Sequence, residues 1–327
     1  MDGQVVHRLG AGVHVLDAQT YHADPCAEPS LSSSIAKLLI ERSPAHAWTA
    51  SPRLNPNWEP EDRKTFDIGR AAHRAVLGRG GDYVAIPDDV LASNGAASTA
   101  KAKAFIEEAR AAGKTPLKGD EIAGIEAMAA AVTAHLAGCG ITVDPARSEL
   151  GAIARIGDVW CRAMIDNAPD KPVMLPGIGP RRVLLDLKTC ESAVPDACRR
   201  AVESYGYDVQ KQHYIETWRE ATGEDRAFLF VFTEKAPPFG CCIIWLLDEP
   251  GHSADWLEDA SAKIATARAT WRACLDADAW PNYPRMIVQV GSTPWHRQRW
   301  QDTQVRAAAT SPSAETLSRA MAWQAPE

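Results

Sequence analysis

Asp186 and Lys188 stand two residues apart in "VLLDLKTC" (183–190), inside an otherwise apolar run. On a strand, residues two apart share a face, so a carboxylate and an ammonium would sit side by side, with Leu184 before them and Leu187 opposite. Taken alone, the pair has a plain explanation as an edge-strand ion pair, worth about 0–1 kcal/mol when exposed. Asp166, 20 positions earlier at the end of "VWCRAMID", changes the reading. Two neighbouring strands would bring both carboxylates to one point, where they repel and where burial raises their pKa values. A divalent cation reverses that balance, because carboxylate oxygens are the hard ligands that magnesium prefers. Such a metal polarises a phosphodiester and lowers the pKa of bound water from about 15.7 towards about 7 in the strongest cases. A neighbouring ammonium then holds the attacking water and offsets charge building on phosphorus. Asp166, Asp186 and Lys188 form a coherent hydrolytic set.

The elements that must position this set can be read from the hydrophobic pattern. "SLSSSIAKLLIERS" predicts a helix with a Ser-rich start, "TFDIGRAAHRAVLG" a second, and residues 98–138 two more, broken near "AGKTPLKGD". From Glu149 the period changes. "ELGAIARIGDVWCRAMID" predicts two strands about a Gly157-Asp158 turn, and "NAPDKPVMLPGIGPRR" a loop before a strand at 182–189. "YGYDVQKQHYIETWREATG" predicts a helix ended by Gly223. "RAFLFVF" and "GCCIIWLL" predict a second hairpin, followed by a helix over 253–276 and an irregular tail. Residues 1–30 read as irregular or strand-like. The expectation is one mixed α/β domain over 1–327: a helical N-terminal part over about 30–140, a catalytic sheet core over about 149–250, and a C-terminal helix and tail over about 253–327.

Composition narrows the function classes. The 327 residues are 46% hydrophobic and 24% charged, which argues against wholesale disorder. A net charge of −7 argues against a basic coat for nucleic acid, though not against a local basic cleft. "MDGQVVHRLG" lacks the regions of a signal peptide, and the longest apolar runs are too short to span a bilayer, so a cytoplasmic protein without membrane partners is expected. Eight cysteines include no C-x-x-C pair and read mainly as small buried hydrophobes. The P-loop pattern is absent, which argues against a built-in ATP motor.

Four pieces occur in one order: "GRAAHRAVL", "MID", "LLDLKT" and "YDVQKQHY". Together they resemble the G-x-x-x-H helix, the two acidic strands with D-x-K, and the Q-x-x-x-Y helix of the PD-(D/E)XK nuclease superfamily. Within it, "YHADPCAEPSLSSSIAKLLIERSPAHAW", "FLFVFTEKAPPFGCCIIWLLD" and "ACLDADAWPNYP" resemble segments of the RecE-type exonuclease domain, across about residues 20–284. The resemblance implies a PD-(D/E)XK core, a central mixed β-sheet flanked by helices with a helical N-terminal elaboration. It also implies a Mg2+-dependent exonuclease, with Mn2+ as a substitute, acting on linear double-stranded DNA from the 5′ end. A homo-oligomeric ring, trimer or tetramer, and a single-strand annealing partner are implied as well.

Carried onto this chain, the resemblance makes His73, Asp166, Asp186 and the Leu187 carbonyl metal ligands, with Glu149 a further candidate. Lys188 positions water, while Gln210 and Tyr214 shape the site. Gln210 and Tyr214 are i, i+4 on one helical face, and Gln210 is the informative member because an apolar stripe seldom includes it; Tyr207, Tyr214 and Trp218 also read as packing residues. Arg162 shares parity with Asp166 and is expected to face the same cleft, where it contacts phosphate or simply pairs with a carboxylate. Arg162, Arg181, Arg182 and Lys211 are the candidate DNA contacts, with Arg199-Arg200 and "WHRQRW" (295–300) as further basic segments. A charge run is more often a solvated face, and Trp295 and Trp300 equally suit stacking on bases or packing of a terminal helix. The competing function class is a DNA-binding recombination factor that recruits an annealing protein with weak or lost catalysis.

Overall fold

The computed structural model describes residues 8–59, 65–246 and 256–310, which fall into two compact units divided after Tyr283. The first unit opens with β1 (Gly12–Val15) and α1 (Ala18–His22), whose first turn is closed by Asp17 accepting from the Thr20 N–H. Ser32 caps α2 (Ser33–Glu41) by accepting from the Ile35 N–H, and α3 (Pro44–Ala50) begins on a proline, which has no N–H to leave unpaired. α4 (Thr65–Leu77) follows. β2 (Tyr83–Ala85) and β3 (Thr115–Leu117) pair in parallel, with α5 (Ala100–Ala111) between them and α6 (Gly119–Gly138) after.

β4 (Ser148–Ile156) and β5 (Val159–Asn167) form the predicted hairpin, turning at Gly157 with φ +59°, a conformation that favours glycine. β6 (Val173–Leu175) and β7 (Gly179–Arg181) make a small hairpin inside the stretch expected to be a loop. β8 (Val183–Cys190) runs parallel to β9 (Ala227–Glu234), and a parallel pair requires a crossover. Here it is α7 (Pro195–Tyr205), α8 (Tyr207–Thr222) and the left-handed Gly206 between them. β10 (Cys241–Trp245) returns antiparallel to β9, and α9 (Trp256–Ala277) closes the unit.

These strands make a six-stranded mixed sheet in the order β1-β4-β5-β8-β9-β10. Side-chain alternation divides its core. Leu185, Leu187, Leu229 and Val231 pack with residues of α4 and α6, whereas Leu184, Phe228, Phe230 and Phe232 pack with residues of α7 and α8. A third cluster joins α2, α9 and Val209 of α8 around the buried Trp271.

The second unit corrects the expectation of an irregular tail. Residues 294–310 form α10 (Pro294–Thr310), started by a proline and by Thr293, which accepts from the His296 N–H. The tail over 311–327 and the opening residues 1–7 lie outside the described residues. Among the described residues no helix is long and apolar enough to cross a membrane.

Candidate active site

The site forms where the sheet splits. β5 and β8 pair through one bridge, Asn167 with Leu185, and then part. In a strand, a residue's N–H and C=O point to the same side, and residues two apart serve the same neighbour. Leu187 therefore turns its backbone groups towards a gap that β5 has left. A buried N–H and C=O need partners there, and two predicted residues supply them. Asp166 Oδ2 accepts from the Leu187 N–H at 2.6 Å, and His73 Nε2, arriving from α4, lies 3.2 Å from the Leu187 carbonyl oxygen. His73 Nε2 is also 3.7 Å from Asp166 Oδ2.

Asp186 and Lys188 project from β8 on the opposite face from Leu187, as the two-residue spacing requires. Lys188 Nζ is 2.6 Å from Asp186 Oδ2, and Gln210 Nε2 of α8 donates to Asp186 Oδ1 at 2.7 Å. Asp186 Oδ2 is buried against the Lys188 ammonium, and the same contact helps hold that ammonium charged. Lys188 Nζ also lies 4.7 Å from the centre of the Tyr207 ring, which stacks on Phe230. The site thus draws on both faces of the sheet, His73 from one side and Gln210 and Tyr207 from the other.

Its electrostatics are unbalanced. Burial pushes the Asp166 carboxyl up to about 6; His73, Lys188 and the Leu187 N–H pull the other way, and Asp186 adds to the rise. Burial also disfavours the Lys188 charge, yet Asp186 and Asp166 outweigh it and hold the ammonium above its ordinary pKa. Tyr214, one turn beyond Gln210, is buried edge-on to Phe228, and burial keeps its phenol protonated well above 10. Of the pair, it is Gln210 that reaches Asp186.

Glu149 falls between the β4–β5 pairs Ser148–Asn167 and Leu150–Ile165, at a positive φ of 51°. Burial raises its carboxyl against the pull of His73, Arg79 and Arg74. Among the described residues no three His, Cys, Asp or Glu side chains converge tightly enough to hold a metal by themselves. The chemistry of the donors nonetheless suits a hard divalent cation: two buried carboxylates, and the Leu187 carbonyl beside an imidazole.

The structure corrects two of the expected DNA contacts. Arg162 is buried, its Nη1 bonded to the Ser30 carbonyl at 2.8 Å and Ser30 Oγ at 2.6 Å and paired with Asp24 Oδ2 at 3.2 Å, with its guanidinium over Tyr21. It fastens the 24–30 segment to the sheet. Lys211 is buried too, so it offers no surface for a duplex. Arg181 and Arg182 are exposed at the start of β8, away from Asp186, and Arg182 pairs with Glu224 at 3.1 Å. Arg199 is paired with Glu203 on exposed α7.

Sequence reasoning missed two residues. Tyr207, read as packing, carries the Lys188 ammonium on its ring. Lys37 of α2 donates to the Tyr205 carbonyl at 3.0 Å and lies 5.7 Å from the centre of the Tyr207 ring. Burial and the neighbouring Lys188 lower the Lys37 pKa. A lone lysine on a helix gives no sign of this in sequence; the Tyr207–Gln210 spacing, one helical turn, was the available signal for Tyr207.

The comparisons with known proteins bear on the fold and the family. A structure described as a putative exonuclease from Eubacterium rectale is similar to 86% of this chain and 97% of its own, with a TM-score of 0.53 at 14% identity, a likeness of fold. A phage-related exonuclease from Haemophilus somnus 129PT covers 68% of this chain and 92% of its own, at 9% identity and a TM-score of 0.28, too low to add to the argument. No curated protein matches the chain. Residues 32–287, most of the chain and the whole of the site, match the PDDEXK-like domain of unknown function (DUF3799), and the chain belongs to that family.

Proposed function

We propose that the chain is a divalent-metal-dependent nuclease that hydrolyses DNA phosphodiesters at the split between β5 and β8. The observation that carries this reading is the buried Asp186, held by Gln210 and the Lys188 ammonium and crowded against a second buried carboxylate, Asp166. An ion pair kept for stability has no need of that second carboxylate.

Asp166, Asp186 and the Leu187 carbonyl, with His73 beside them, would hold the cation, which supplies phosphodiester polarisation and a more acidic water. The chain's own groups do the rest. Lys188 stays charged through neutral pH, so it acts as an ammonium that orients the attacking water and offsets negative charge on phosphorus, not as a base. Gln210 fixes the Asp186 carboxylate, and the Tyr207 ring holds the ammonium over the site. Asp166 must be ionised to serve, and its elevated pKa ties activity to pH above about 6 where the metal is weakly bound.

Exonucleolytic action on linear duplex, 5′ to 3′ direction, magnesium with manganese as substitute, a trimeric or tetrameric ring and an annealing partner are the finer parts of this proposal, and the RecE-like resemblance supports them. A time course on linear duplex labelled at either end, with magnesium and with EDTA, tests the reading. Metal-dependent loss of the 5′ label first is expected. Binding with no degradation under any divalent ion would favour a recruiting DNA-binding factor, and cutting of closed circles would make the enzyme an endonuclease.

A further inference from the structure

The unit beyond Tyr283 places exposed cations and aromatic rings together in this acidic chain. Between Pro284 and Thr310 there are four arginines against one aspartate, in a protein whose net charge is −7. Trp295 and Trp300 are 75% and 59% exposed, whereas Trp218 and Trp271 in the first unit are almost wholly buried. Two such large apolar rings left in water on one helix call for an occupant.

Their arrangement on α10 selects its chemistry. At about 100° per residue, Trp295, Arg299, Thr303, His296 and Trp300 lie in that angular order within one arc of about 140°, the two indoles at its borders and the guanidinium between them. His296, Arg299, Trp300 and Thr303 line a shallow concavity of about 180 Å³. Asp302 is drawn aside by Gln298, which donates to its carboxylate at 3.0 Å. A ring at each border with a cation between matches a strand that offers flat bases and a phosphate between them. An apolar protein partner would use the rings but leave Arg299 and His296 desolvated without anions.

We propose that α10 is a binding site for single-stranded DNA, with Trp295 and Trp300 stacking on bases and Arg299 holding the intervening phosphate. The site deepens the nuclease reading by naming a contact for the strand that hydrolysis exposes, and it rests on that reading only for its purpose. Its binding is therefore testable with catalysis switched off.

The experiment is fluorescence anisotropy of labelled oligo-dT with the full chain in EDTA, over a range of salt, for the wild type and for Trp295→Ala/Trp300→Ala and Arg299→Gln. Asp186→Asn serves only the hydrolysis arm, run in magnesium. The double tryptophan variant should lose at least about tenfold in affinity, and Arg299→Gln should flatten the salt slope by about 0.7. A Trp295→Phe/Trp300→Phe variant should restore most of the affinity. Wild-type affinity in the alanine variant overturns the proposal, as does a variant whose chief change is in the sedimentation of the DNA-free chain, which would make α10 a contact between copies. Hydrolysis unaffected by Asp186→Asn would sink the nuclease reading and leave the α10 result standing.

Discussion

Two buried acid–base clusters branch from β5 at positions of the same parity, Arg162 and Asp166, and they are built to opposite ends. At the first, Asp24 receives donors on both oxygens: Ser30 Oγ at 2.7 Å and the Cys26 N–H at 3.3 Å on Oδ1, the Ser30 N–H at 2.8 Å and Arg162 on Oδ2. Both Asp24 oxygens are satisfied within the fold, although Arg162 Nε is buried without a partner. At the second, Asp186 takes Gln210 and Lys188, Asp166 takes the Leu187 N–H, the two acids crowd one another, and the Asp166 carboxyl is pushed up to about 6. The same residue types thus serve as a rivet where one carboxylate meets its donors and one cation, and as chemistry where two carboxylates compete for the same cations. Burial separates neither cluster from the other; the balance of charge does.

The contrast predicts opposite responses to mutation, and the largest falls on activity. Removing the Lys188 ammonium (Lys188→Met) should lower metal-dependent duplex hydrolysis by about 10²–10³-fold, by analogy with loss of one transition-state donor. Retained turnover in single-turnover kinetics would contradict it. At the rivet, Arg162→Met leaves Asp24 buried without its cation, and the cost should be about 3–5 kcal/mol of stability. Urea titration of that variant should show an early midpoint, and a wild-type midpoint would remove the structural role assigned to Arg162.

A smaller effect has the opposite sign. In metal-free protein the folded Asp166 carboxyl titrates near 6, above its unfolded value of 3.8, so the folded state binds the proton more tightly. Ionised Asp166 therefore costs stability above pH 6, and the cost fades as pH falls towards 3.8. Asp166→Asn should raise stability at pH 7 in EDTA by on the order of 2 kcal/mol, with the gain shrinking at pH 5. His213, whose burial lowers its pKa to about 4, weakens both proteins alike below pH 6.5 and cancels in the difference. Smallest of all, Tyr207→Leu removes the ring beneath Lys188 and should lower hydrolysis by about tenfold or less, a change read in the rate and not in the fold.

Much of the site was legible because strand parity and helical spacing are local rules. Asp186 and Lys188 on one face, Asp166 at the end of the preceding hairpin, and Gln210 one helix away follow from periods of two and of 3.6. The misreadings come from what no period contains. Parity put Arg162 with Asp166 but could not say that the 24–30 segment would cover it, and a lysine beside Gln210 gives no sign that it will be buried. The parting of β5 and β8, which turns Leu187 backbone groups into site atoms, is a tertiary event. So are the β6–β7 hairpin, hidden in a Pro- and Gly-rich stretch, and Lys37, brought to Tyr207 from far along the chain.

The central claim is that the crowding of Asp186 against Asp166 serves catalysis at no benefit to the fold. Measuring duplex hydrolysis and thermal stability side by side for Asp186→Asn tests it most directly. The expected result is hydrolysis reduced to background in magnesium together with a melting temperature at or above that of the wild type in EDTA. Wild-type hydrolysis, or a fall in melting temperature as large as that of Arg162→Met, would contradict it.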